Sequence, residues 1–132
     1  MLRLTVVVLG GLSLVACAPC RRVDCGGALR VEVRDAAGVP VSAFSGEARF
    51  EGRTVSFQCP ADTGARTPLP EYSCLPGSVT FSAEPASLEL VVEGTDGARY
   101  EASVQPEYES SFPNGDECGP ACKNAVVTAH LQ

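Results

Sequence analysis

The sequence of 132 residues lacks tryptophan, has a single histidine and is only 6% aromatic. Sugar clefts depend on large aromatic side chains, so this shortage argues against glycoside chemistry by paired carboxylates. His130 points outward if the alternate residues Val127, Ala129 and Leu131 face the core. The sequence also has no nucleophile-elbow motif, which would place a catalytic serine for such a histidine. We therefore expect a protein that is not an enzyme.

Basic residues are also few, with 10 Lys and Arg against 16 Asp and Glu. Nucleic acids select basic protein surfaces, so no nucleic-acid partner is expected. Anionic lipid would be repelled for the same reason, and any attachment to a membrane would have to depend on acyl chains.

The longest apolar run, Leu4 to Ala16, follows a single positive residue, Arg3. It is shorter than the roughly 18 residues that a membrane-spanning helix needs. A charged start and a short apolar run are typical of a secretion signal. We predict that residues 1–16 are a signal peptide that is removed.

The run ends in Leu14-Val15-Ala16-Cys17, which resembles the lipobox of bacterial lipoproteins. The resemblance implies that Cys17 carries diacylglycerol and further fatty acid such as palmitate, with cleavage just before it. Ala18 follows, and in such lipoproteins only an Asp there favours the inner membrane, so the expected location is the outer membrane of a bacterial cell envelope. The alternative is an ordinary signal peptide, cut near Ala16 or Ala18.

Removal of residues 1–16 leaves 116 residues with 9 basic and 16 acidic side chains, a formal net charge of −7. That length suits one domain. We expect residues 17–27 to form a lipidated tether and residues 28–132 to form the domain.

Seven cysteines become an even set of six if Cys17 is lipidated. Outside the cytoplasm, six cysteines predict three disulfides with 15 open pairings. A Cys59–Cys74 bridge would contribute about 3 kcal/mol by loop entropy. The six candidates are Cys20, Cys25, Cys59, Cys74, Cys118 and Cys122. The alternative is zinc bound by the four outer cysteines, although their spacing fits poorly.

Alternation of apolar and polar residues, as in Leu29, Val31 and Val33, predicts half-buried strands. Hairpins are expected around Gly52 and Asp96-Gly97. The segments from Pro60 to Glu71 and from Gln105 to Cys122 lack periodicity and are expected to be irregular. About seven short strands and no helical period predict an all-β fold, an antiparallel β-sandwich stapled by disulfides.

The segment Val31-Glu-Val-Arg-Asp-Ala-Ala-Gly-Val-Pro-Val41 resembles the start of carboxypeptidase-regulatory-like domains, which are transthyretin-like sandwiches. That resemblance implies a non-catalytic accessory or binding domain and carries no site residues. An immunoglobulin-like topology is the alternative.

The segment Glu107–Glu117 contains four acids, two aromatics and no base. We predict that this loop, not either sheet face, is the working surface, because the outward strand residues mix both charge signs. Tyr108 and Phe112 lie outside the alternating strands and could contact a protein partner in the envelope, while Asp116 and Glu117 could bind Ca²⁺. The bland alternative is a solvated acidic loop.

Together these features predict a non-enzymatic lipoprotein that faces the periplasm or the cell surface and needs no cofactor. The alternative is a small secreted hydrolase or an accessory domain that binds calcium or zinc.

Overall fold

The computed structural model describes residues 25, 28–61, 71–112 and 121–132, and these residues form strands and turns without a helix. The expected all-β sandwich is confirmed, with nine strands described where about seven were expected. The signal peptide and most of the tether lie outside the described residues. The strands are β1 (Leu29–Arg34), β2 (Phe44–Phe50), β3 (Arg53–Cys59), β4 (Tyr72–Leu75), β5 (Ser78–Phe81), β6 (Leu88–Gly94), β7 (Arg99–Val104), β8 (Glu109–Ser111) and β9 (Cys122–His130).

The strands form two sheets, one of five strands in the order β4-β5-β1-β9-β8 and one of four strands in the order β3-β2-β6-β7. All strand pairs are antiparallel except one: β1 and β9 run parallel, with Leu29 beside Ala125 and Arg34 beside His130. The expectation of a purely antiparallel sandwich is therefore wrong for the β1–β9 pair. Local alternation cannot reveal it, because β1 and β9 come from opposite ends of the chain.

Both parallel strands begin at the same end of the sandwich, which we call the base. A disulfide between Cys25 and Cys122 fixes the two entering segments together there, with 5.5 Å between their Cα atoms. The opposite end, where β1 and β9 finish, is the top. The turn at Glu51 and Gly52 lies at the base, because β2 runs from top to base.

The core lies between the two sheets and is built by the inward residues of every long strand. Leu29, Val31 and Val33 are buried as the alternation predicts. Phe57 makes edge-on contacts with three other aromatic rings, at centroid distances of 5.5–6.4 Å. Those rings are Phe44, Tyr72 and Phe81.

Both predicted hairpins form, with different turns. Glu51 and Gly52 both have positive φ angles, of 52° and 73°, as a two-residue hairpin turn requires. In the β6–β7 hairpin only Gly97 has a positive φ, of 85°, and the N–H of Gly97 donates to the carbonyl of Gly94. This is a three-residue loop, one residue longer than the tightest turn that Asp-Gly can form.

Of the two segments expected to be irregular, Pro60–Glu71 has no strand among its described residues, whereas Gln105–Cys122 contains one. Part of the first, residues 62–70, lies outside the described residues, and β4 begins directly after it at Tyr72. In the second, Glu109–Ser111 forms β8 and pairs with Cys122–Asn124. The expectation of an unstructured Gln105–Cys122 is therefore wrong for β8, whose three residues are too few to show a period.

Candidate functional surfaces

The predicted binding loop is described as far as Phe112, and Asp116 and Glu117 lie outside the described residues. The chain leaves β7, crosses to the other sheet and pairs with the start of β9 at the base. Glu107 and Glu109 are exposed, and Phe112 is 46% exposed. The described part of this loop thus presents acids and one aromatic side chain.

Tyr108, the other aromatic of the loop, is a structural residue. It packs against the core cluster, and its hydroxyl donates a hydrogen bond of 2.8 Å to the carbonyl of Pro85. Burial raises the pKa of Tyr108, and the negative charges of Glu84 and Glu51 add to the effect. The expectation that Tyr108 lies outside the core is wrong, because the crossing between sheets carries it inward. Phe112 is left as the exposed aromatic of the described part of the loop.

A second surface, which the sequence did not indicate, is the outer face of the four-stranded sheet. It holds a shallow cavity of about 640 Å³. Arg99 bridges Glu93 at 2.5 Å and Glu101 at 2.9 Å, and the Glu101 hydrogen bond and charge raise its pKa. Arg49 pairs with Glu47 at 2.9 Å. These exposed pairs make a hydrated, largely self-neutralised surface, and solvent screening leaves them little effect on stability.

Alternation predicts that Glu47 and Arg49 point outward. Only the strand order shows that they share a face with the charged residues of β6 and β7. The register sets Arg49 beside Glu89, and Glu93 beside Arg99. The face therefore carries four acids and two bases, whereas the opposite outer face has Arg30 and Arg34 around one acid, Glu32, in β1. Glu51 follows β2 directly and lies in the turn before β3, not on the outer face of the four-stranded sheet.

Four of the six candidate cysteines form two disulfides, Cys25–Cys122 and Cys59–Cys74. Cys17, Cys20 and Cys118 lie outside the described residues. The zinc alternative needed Cys25 and Cys122 as free thiolates, and their disulfide contradicts it.

His130 lies on the exposed side of β9, beside Arg34 in the parallel pair, as the alternation predicted. Within the described ranges, no three His, Cys, Asp or Glu side chains meet as metal ligands. The part of the chain that the structure covers also has no helix long and apolar enough to cross a membrane.

No protein-family model, curated protein or solved structure shows a significant match to this chain.

Proposed function

We propose that this protein is a non-enzymatic lipoprotein of the bacterial cell envelope, anchored through Cys17, whose β-sandwich binds or braces another envelope component. The observation that carries the proposal is the sequence Leu14-Val15-Ala16-Cys17 at the end of a short apolar run. The disulfides Cys25–Cys122 and Cys59–Cys74 support it, because such bonds persist in oxidising compartments outside the cytoplasm.

The disulfide Cys25–Cys122 keeps the base of the sandwich close to the proposed anchor. Cys25 is only eight positions after Cys17, and its disulfide to Cys122 joins the tether to the base. With lipid on Cys17, the base would lie within about 28 Å of the anchor, which is the reach of eight extended residues.

The same geometry bears on the binding surface. Phe112 directly follows β8, whose Ser111 pairs with Cys122, so it lies at the base beside the tether. Glu107 and Glu109 lie nearby, and this acidic neighbourhood suits a partner with a basic surface. Within this proposal the partner is a protein at the membrane surface, and no nucleic acid is involved.

The anchoring is tested by Cys17→Ser in the full chain, expressed in a bacterium that makes lipoproteins. We expect the variant to accumulate as an unprocessed precursor, to take up no labelled palmitate and to be missing from the outer membrane. Ser13→Ala, which changes the same segment but keeps the thiol, is the control and should behave as wild type. Normal cleavage and sorting of Cys17→Ser would overturn the proposal.

The binding surface is tested by capture of envelope proteins on wild type and on Phe112→Ala, at matched expression. Phe112→Ala should reduce capture of a partner, and capture by the wild type should itself weaken as salt rises and screens the acidic loop. Thr54→Ala, on the outer face of β3, is the control. Equal capture by Phe112→Ala and Thr54→Ala would remove Phe112 from the binding surface.

A further inference from the structure

Among the residues that the structure describes, the longest strand, β9, has an edge that no other strand covers beyond Asn124. On one side it pairs with β1 along Ala125–His130, but on the other it pairs with β8 only along Cys122–Asn124. Gln132 turns away to exchange two backbone hydrogen bonds with Arg99 of β7. Among the described residues, no strand pairs with residues 126–130 on this second side.

Alternate residues of β9 direct their backbone groups to opposite edges. The N–H groups of Ala125 and Leu131 donate to carbonyls at the two ends of β1, at 2.9 and 2.8 Å. The odd-numbered residues 125–131 therefore bond to β1. The even-numbered residues Val126, Thr128 and His130 direct their N–H and C=O groups to the uncovered edge.

The composition of this edge is unusual for an exposed strand. Residues 126–130 read Val-Val-Thr-Ala-His and contain no Lys, Arg, Asp, Glu, Pro or Gly, although such residues normally protect open edges. The Val126 side chain is 61% exposed. Of the two edge strands of the other sheet, β7 has Arg99 and Glu101 in its outward positions, and β3 is joined to β4 by the Cys59–Cys74 disulfide. An unprotected edge of high β propensity calls for a strand that covers it.

We propose that a second copy of this chain covers it, with β9 pairing antiparallel to β9 across a two-fold axis at Thr128. The free stretch is bounded by Asn124, which pairs with Glu109, and by Gln132, and Thr128 lies midway between them. With the two-fold axis at Thr128, the two copies pair through residues 126–130 and through no residues beyond them. The contact is isologous and closes at two copies.

The register makes this edge complementary to itself. Thr128 faces Thr128 of the second copy, and Val126 faces the second copy's His130. Each facing residue directs its backbone groups to the partner strand, so the pairing forms about six hydrogen bonds. A facing Thr–Thr pair is favourable, and Val126 loses exposure beneath an imidazole. The five-stranded sheet then continues through the second copy.

Cross-linking of the full chain in its native membrane fraction tests the register. Thr128→Cys should give a covalent dimer on a non-reducing gel, because facing Cα atoms in a hydrogen-bonded antiparallel pair lie about 5.5 Å apart, within disulfide reach. Thr54→Cys is the matched control, since Thr54 is an exposed strand threonine on the other sheet and should give no dimer. No dimer from Thr128→Cys, or equal dimer from both variants, would overturn the proposal.

A variant without a new thiol makes the test independent of disulfide exchange. Thr128→Lys places like charges opposite each other across the axis, so dimerisation measured by sedimentation of the purified protein should weaken at least about tenfold. Thr128→Val should leave it unchanged, and Thr54→Lys controls for added charge. A monomeric wild type, or a Thr128→Lys variant that still forms the wild-type dimer, would also overturn the proposal.

Discussion

The two sides of the sandwich are closed in different ways. On one side the disulfide Cys59–Cys74 joins β3 to β4 across the two sheets, and the aromatic cluster around Phe57 fills the space behind it. On the other side β7 approaches β9 only at the top, where Arg99 and Gln132 exchange backbone hydrogen bonds, and Tyr108 closes the base.

Burial follows this difference. Beside the disulfide, Phe57, Cys59 and Phe81 are almost completely buried. On the other side Ala125, Ala129 and Leu131 are buried, but several larger inward-facing residues are only partly buried, namely Tyr100, Val104, Tyr108 and Val127. The cross-linked side is therefore where the free energy of unfolding should be concentrated, and the side without a cross-link is where another strand can add. Three substitutions test this comparison.

The largest effect is expected at Gly46, on which the Phe57 ring rests. An added Cβ would lie 2.6 Å from Cζ of Phe57 and would overlap the carbonyl oxygen of Val91. The backbone of β6 cannot move aside without losing its pairing with β2. We expect Gly46→Ala to lower the free energy of unfolding by at least about 3 kcal/mol, measured by denaturant titration.

Gly38→Ala is the control for Gly46→Ala. Gly38 has a φ angle of 83° and nothing within 4 Å of its Cβ position, so its substitution adds backbone strain without a clash. It should cost about 1 kcal/mol. Equal losses from the two variants would show that the Phe57 cluster is not tightly packed around Gly46.

The second prediction concerns the disulfide itself. Cys59 and Cys74 are 15 positions apart, and opening a loop of this size should cost about 3 kcal/mol through the greater entropy of the unfolded chain. The double variant Cys59→Ala and Cys74→Ala should show this loss in denaturant titration.

Mild reduction that opens only this bridge should lower the free energy of unfolding of the wild type by the same amount. The double variant lacks the bridge, so the same treatment should leave its free energy of unfolding unchanged. If the double variant is as stable as wild type, backbone and aromatic contacts alone close this side, and the difference between the two sides disappears.

Much of the fold could be predicted from local pattern. Local pattern located β1, β2, β3, β5, β6, β7 and β9, and the hairpin at Gly52 followed from a glycine between two alternating runs. It could not find β4 or β8, which have only four and three residues and are too short to show a period. Nor could it show that β1 lies beside β9, because paired residues such as Leu29 and Ala125 are 96 positions apart.

The candidate surfaces were harder to predict. Composition correctly marked Glu107–Glu117 as acidic and aromatic, but it could not distinguish Tyr108, which turns inward, from Phe112, which stays exposed. The free edge of β9 had no signal of its own, because Val126–His130 reads like any half-buried strand. Only the strand order shows that the pairing of β9 with β8 ends at Asn124.

The smallest expected effect is at Tyr108, on the side without a cross-link. Tyr108→Phe keeps the ring against the core and removes the hydrogen bond to the Pro85 carbonyl, so it should cost about 1 kcal/mol near neutral pH. Burial raises the pKa of Tyr108 above its unfolded value near 10, so its contribution is complete below pH 10 and is lost as pH rises through the folded pKa. The difference in unfolding free energy between wild type and Tyr108→Phe should therefore shrink above pH 10, because the two proteins differ only in this hydroxyl. Denaturant titration at pH 8 and pH 11 measures it. A constant difference would mean that the phenol is solvated, and that Tyr108 does not close the base of this side.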